Sequence, residues 1–247
     1  DKNNIKEILL DCLPLAISTG LSLYIINATK YAIDNFGDYT MQTYFNVIYM
    51  PTFVINLVSI FIVKPFLKTF GDYWNKDEHK KLFITVLKII LVLFGVTLII
   101  EIGCYILGVP VLSMFYGVDI SQYKVELMVL IISGLLYAIC NLLFNMLGTI
   151  RKQTYISIVY IITSIIAVIV SPILVNKYEM MGAVFANLLI MFILCTLLAI
   201  SLIIGIKKQK SKNCCDTFLI HRYSFWSEYR CIGLLARKII KVLKLFL

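Results

Sequence analysis

LFITVLKIILVLFGVTLIIEIGCYIL, residues 82–107, contains only two charged residues, Lys88 and Glu101. As an α-helix it would be about 39 Å long, more than the roughly 30 Å hydrocarbon core of a bilayer. It lacks the alternation of apolar and polar residues that marks a barrel strand. Backbone N–H and C=O groups in lipid must find partners within the chain, and a single apolar segment does that only as a helix. This stretch therefore reads as a membrane-spanning helix.

Runs of the same kind recur along the chain, over 9–30, 44–64, 124–147, 154–175 and 182–206. Hydrophobic residues make up 60% of the 247 and charged residues 15%, against about 25% charged in soluble domains. The expected fold is an all-α polytopic membrane protein, a bundle of six transmembrane helices over residues 1–208. Pro14 falls early in the first run, where a missing N–H matters least, Pro51 falls inside the second and Pro172 near the end of the fifth.

The net charge of +9 does not imply nucleic acid, because the charges gather in short loops between the apolar runs. Cytoplasmic loops of membrane proteins hold the excess of Lys and Arg. With the N-terminus inside, the inner segments hold thirteen: Lys2, Lys6, Lys64, Lys68, Lys76, Lys80, Lys81, Arg151, Lys152, Lys207, Lys208, Lys210 and Lys212. The outer segments hold three, Lys30, Lys124 and Lys177. The expectation is N-in and C-in.

KPFLKTFGDYWNKDEHKK, 64–81, reads as a short interfacial helix, with Tyr73 and Trp74 at headgroup level. A separate cytoplasmic or interfacial tail is expected over 209–247. Its end, RCIGLLARKIIKVLKLFL at 230–247, has the pattern of a basic amphipathic helix lying in the membrane surface. The seven cysteines show neither zinc-ligand spacing nor a disulfide framework. No phosphate loop, HExxH or GxSxG motif occurs, and His79 and His221 are the two histidines. No enzyme activity, metal or cofactor is expected.

Polar residues inside membrane helices are costly and tend to serve function. NATKYAID, 27–34, places Lys30 at the outer end of the first run. Tyr24, Asn27, Tyr31 and Asp34 follow helical spacing and form one stripe beside it. In the second run Gln42, Asn46, Tyr49, Phe53 and Asn56 form another, and in the fourth Gly134, Tyr137, Asn141, Asn145 and Gly148 a third. Two readings stand for such stripes. They line a shared polar cavity, or their amides and glycines join helices by hydrogen bonds and close approach. Lys30 and Asp34 also have the spacing of a simple i,i+4 ion pair. Lys88 and Glu101 have the option of snorkelling to the nearer interface.

NATKYAID followed by QTYFNVIYMPTFVINLVSIFIVKPF (42–66) resembles the seventh and eighth spans of polysaccharide-type lipid-linked oligosaccharide flippases. These are the O-antigen and teichoic-acid exporters of the multidrug/oligosaccharidyl-lipid/polysaccharide superfamily. KPFLKTFGDYWNKDEHKKLFITVLKII (64–90) is similar to the following inner loop and ninth span. GVPVLSMFYG (108–117), NMLGTIRKQTYISIVYIITSIIAVIVSPILV (145–175) and YEMMGAVFANLL (178–189) continue the series. The resemblance covers about 5–208 and rests on the order of segments.

The resemblance implies a protein of two bundles related by a pseudo-two-fold axis, of which this chain is the C-terminal lobe. The N-terminal lobe would then lie upstream, in keeping with a chain that opens on Asp1. The implied cargo is an undecaprenyl-pyrophosphate-linked sugar repeat, flipped across a bacterial-type cytoplasmic membrane. Membrane lipids and polysaccharide-assembly enzymes are the further implied partners. A basic residue at the position of Lys30 would meet the anionic part of the cargo, and Asp34 would hold the lysine when cargo is absent. Tyr24, Tyr31 and Tyr49 would offer faces and hydroxyls to sugars, with Asn27, Asn46, Asn56, Asn141 and Asn145 completing the cavity. The alternatives are an ion-coupled multidrug exporter of the same superfamily, a membrane polysaccharide polymerase or transferase, and a non-transporting scaffold. The exporter would want an acidic residue deep in a span, and the enzyme a large outer loop.

Overall fold

The computed structural model describes the backbone of residues 2–150 and 153–215 and the side chains of 16–150 and 153–206. The expected interfacial helix at 230–247 lies outside the described residues, as do Arg151 and Lys152. The helices are α1 (Lys2–Phe36), α2 (Tyr39–Val63), α3 (Leu67–Asn75), α4 (His79–Gly103), α5 (Val109–Tyr116), α6 (Lys124–Thr149) and α7 (Gln153–Cys215). No strand occurs among the described residues. The described residues up to Ile203 form one packed unit, and α7 continues beyond it to Cys215.

Among the described residues four segments are long and apolar enough to cross a bilayer: Tyr39–Asn75, His79–Tyr116, Ser121–Thr149 and Gln153–Ile206. The expected six runs map onto these unevenly. α1, whose side chains are described only from Ala16 onward, is not among the four, and the runs at 154–175 and 182–206 share one segment. That segment is broken once, at Glu179, which has φ 48° and ψ −126°. The run at 82–107 also ends later than expected, because α4 passes through a π turn (Cys104–Gly108) into α5. Pro110 stands at the start of α5, where an N–H is not needed for the ladder, so it does not end the helix. The loop at 64–81 forms α3 as expected, with Phe70 fully buried beneath it.

Pairwise contacts fix the direction of each helix. Tyr44 meets Tyr123, Thr52 bonds Leu130 and Asn56 bonds Asn141, so α2 and α6 run parallel. Phe144 meets Tyr160, whereas Val175 and Glu179 border a cavity with Tyr123, so the first part of α7 runs against α6. Asn187 then meets Ser133, and Cys140 meets the Met191 carbonyl, so the part after Glu179 runs with α6. The chain reverses at Glu179. Gly182 belongs to this reversal: a Cβ there would collide with the Leu174 carbonyl oxygen.

The α2–α6 pair is the centre of the unit. Gly134 allows the approach, since a Cβ on it would lie 3.0 Å from Thr52 Cγ2 and 3.3 Å from Thr52 Cα. The Thr52 hydroxyl donates to the Leu130 carbonyl across the same contact, 2.9 Å. Half of the most apolar window of α6 is buried (50%), against 22% for the segment containing α4. Phe83, Leu91, Ile99, Ile106 and Phe115 are exposed along α4 and α5. A helix that is apolar all round and still exposed suits lipid rather than water.

Candidate functional site

Lys30 lies six residues before the end of α1, about 9 Å inward along the helix axis. Its ammonium sits over the ring of Tyr49 on α2, 4.9 Å from the centroid. Among the described residues the ion pairs are His79–Asp77 and Lys81–Glu78, and Lys30 forms none. The i,i+4 pair with Asp34 is therefore not made, and Asp34 is exposed. The half-buried position of Lys30 beside a buried ring explains the preference. An aromatic face attracts a partly desolvated cation, while an exposed carboxylate competes with solvent for it.

Tyr24 and Tyr31 stack one above the other on α1, with centroids 5.8 Å apart and planes at 29°. Tyr24 is half-buried and Tyr31 exposed. Asn27 donates its amide to the Leu23 carbonyl of its own helix, 2.9 Å. Tyr49 is buried and also stacks on Phe45, at 5.9 Å and 26°. Asn46 is half-buried one turn before it, and Phe53 one turn after it is exposed.

The second half of the site is an amide pair. Asn141 Nδ2 on α6 donates to Asn56 Oδ1 on α2, 2.6 Å. Tyr137, one turn earlier on α6, brings its hydroxyl to the Asn141 side chain. Asn145 turns back to its own helix and donates to the Asn141 carbonyl, 2.7 Å. At two positions of the α6 stripe the helix-joining reading holds. Gly134 and Asn141 join α6 to α2, whereas Gly148 has open space where a Cβ would be.

The ten expected residues do not form one cluster. Lys30 and Tyr49 meet, Tyr24 and Tyr31 meet, Asn56 and Asn141 meet, and Asn145 supports the last pair through the backbone. Asn27 and Thr43 cap nothing beyond their own helix carbonyls. Lys88 is exposed on α4 and Glu101 is half-buried.

Several polar contacts were missed from sequence. Asn187 is 1% exposed and donates to the Ser133 hydroxyl, 2.9 Å. Ser18 donates to the Ser157 hydroxyl at 3.0 Å, tying α1 to α7. Tyr160 reaches Ser22 across the same interface. The signal for Asn187 was its place among small residues, Gly182, Ala183 and Ala186, which mark a helix face that packs closely.

Chemically, the arrangement offers one cation held against an aromatic face and a pair of amides able to exchange hydrogen-bond partners. Among the described residues no group of three or more His, Cys, Asp or Glu side chains is placed to hold a metal ion. No protein-family profile, curated protein or solved structure matches the chain.

Proposed function

We propose that this chain is one lobe of a transporter that flips undecaprenyl-pyrophosphate-linked oligosaccharides across the cytoplasmic membrane of a bacterial-type cell. The observation that carries the reading is the Lys30 ammonium, held half-buried within apolar helices against Tyr49 rather than against a carboxylate. A cation kept in this way remains available to a phosphate or sugar acid. The ordered resemblance of segments over 5–208 supports the same reading.

In this reading the unit is a bundle of six spans, counting α1 and the two parts of α7 separately. Lys64, Lys68, Lys76, Lys80 and Lys81 lie at the end of the bundle opposite the α1–α2 turn, and an N-in, C-in orientation would put that end at the cytoplasmic face. Half-buried and exposed residues on one side, Tyr31, Asn46, Phe53 and Asn56, would face the cavity shared with the N-terminal lobe. Alternation of the two lobes around that cavity would move the hydrated head while the lipid tail stays outside.

The test is complementation in a strain lacking its lipid-linked oligosaccharide flippase, using the complete two-lobe protein. Lys30→Ala reduces surface polysaccharide while its membrane abundance stays normal, and Lys30→Arg retains part of the activity. Undiminished export by Lys30→Ala overturns the role of this lysine.

A further inference from the structure

At the α1–α2 turn the unit holds a partly open polar cavity, separate from the Lys30–Tyr49 contact. It is a cavity of about 450 Å³, within the range of roughly 300–1,000 Å³ typical of small-molecule sites. Phe36, Asp38, Tyr44, Tyr123, Asn176 and Glu179 contribute to its wall, and no lysine or arginine does. Three elements therefore converge here: the α1–α2 turn, the start of α6 and the reversal in α7.

The wall has two chemically distinct parts. Tyr44 and Tyr123 pack against each other, with centroids 5.2 Å apart and planes at 51°. The same lining holds two carboxylates, Asp38 and Glu179, and the amide of Asn176. Asp38 occupies the N-cap position of α2, yet its side chain makes no capping hydrogen bond. Glu179 is held at φ 48° and ψ −126°, a conformation that nearly every non-glycine residue avoids. Neither carboxylate is in an ion pair among the described residues. Strain of this kind persists only where the surrounding structure imposes it, and it concentrates at ligand sites and switches.

We propose that this cavity binds an uncharged sugar ring. A sugar's C–H face suits the aromatic rings, and its hydroxyls suit the carboxylate and amide groups of the same lining. The lining carries negative charge and no cation, so it disfavours phosphate and sugar acids. The inference adds a sugar contact to the transport reading but stands on the chemistry of this cavity alone.

The experiment is saturation-transfer NMR on the full chain in detergent, with glucose, galactose and N-acetylglucosamine as probes and choline and glucuronic acid as comparators. At least one neutral sugar receives saturation. Tyr44→Ala and Tyr123→Ala each weaken its binding roughly three- to tenfold, as expected for a lost stacking face. Tyr123→Phe, which keeps the ring, binds like the parent, and Glu179→Gln binds more weakly. Lys30→Ala leaves this binding unchanged, which separates the cavity from the site proposed for transport. The proposal is overturned by choline or glucuronic acid binding more tightly than every neutral sugar, by no neutral sugar binding, or by Tyr123→Ala and Tyr44→Ala binding as well as the parent. Loss of sugar binding in Lys30→Ala would overturn it too, by placing the sugar at the Lys30–Tyr49 contact.

Discussion

The ammonium of Lys30 lies 4.9 Å from the centroid of the Tyr49 ring, on the neighbouring helix. The contact ties α1 to α2 and decides which group partners the lysine. A cation over an aromatic face gains about 0.5–2 kcal/mol, the larger values applying where the pair is desolvated. Tyr49→Phe keeps the face and should leave abundance and export near the parent level. Tyr49→Leu removes it and should lower both. Asp34→Ala should change neither appreciably, since Asp34 is exposed and unpaired with Lys30. Thermal unfolding in detergent and surface-polysaccharide assay read these variants, and equal loss in Asp34→Ala would restore the ion pair.

Asn56 and Asn141 should be energetically coupled, because each completes the other's amide at 2.6 Å. A double-mutant cycle with Asn56→Ala and Asn141→Ala measures the coupling. Interhelical hydrogen bonds in membranes give about 0.6–2 kcal/mol, and additive effects would show that the pair contributes no interaction.

Gly134→Ala should destabilise the unit by about 1–3 kcal/mol, as overpacking does. The added methyl meets the Thr52 backbone as well as its side chain, so no rotamer change relieves it. Gly148→Ala is the control, since nothing lies within 4 Å of a Cβ there. Comparable melting temperatures for the two variants would contradict the close approach of α2 and α6.

At the reversal of α7 two substitutions should act in opposite directions. Glu179→Gly removes backbone strain and should stabilise by about 1 kcal/mol or more. Gly182→Ala forces a methyl onto the Leu174 carbonyl and should lower the yield of folded protein. Thermal unfolding distinguishes them, and a destabilised Glu179→Gly would mean that its carboxylate matters more than its backbone.

Orientation is tested by labelling introduced cysteines in whole cells, on a background whose native cysteines are replaced. Lys177→Cys should react with a membrane-impermeant maleimide, and Lys76→Cys should react only after permeabilisation. The reverse pattern would invert the topology.

Composition and long apolar runs made the helical, membrane-suited character of the chain legible without any coordinates. Residues 82–107 have too few charges to be solvated and no alternation to form a barrel strand, so helix was the remaining solution. The short helix α3 was legible as well, from its aromatic and charged pattern. Boundaries were less so. The run at 82–107 was expected to end at 107, but Pro110 at the start of α5 costs no hydrogen bond, and the π turn absorbs the change of register.

Periodicity along one helix places Asn27, Asn141 and Asn145 on particular faces, but a face is not a partner. Asn27 and Asn145 bond their own helices, whereas Asn141 crosses to Asn56. That difference depends on the axial register of α2 against α6, set where Gly134 meets Thr52. The choice of Tyr49 over Asp34 as partner to Lys30 likewise depends on where α1 lies against α2. The cavity between Tyr44, Tyr123 and Glu179 draws on three separate parts of the chain and on a reversal at one strained residue. Local sequence determines which residues are helical and which surfaces are apolar, because those follow from backbone hydrogen bonding and the lipid solvent. Which polar groups meet is decided by interhelical distance and register, quantities that arise only when the helices pack.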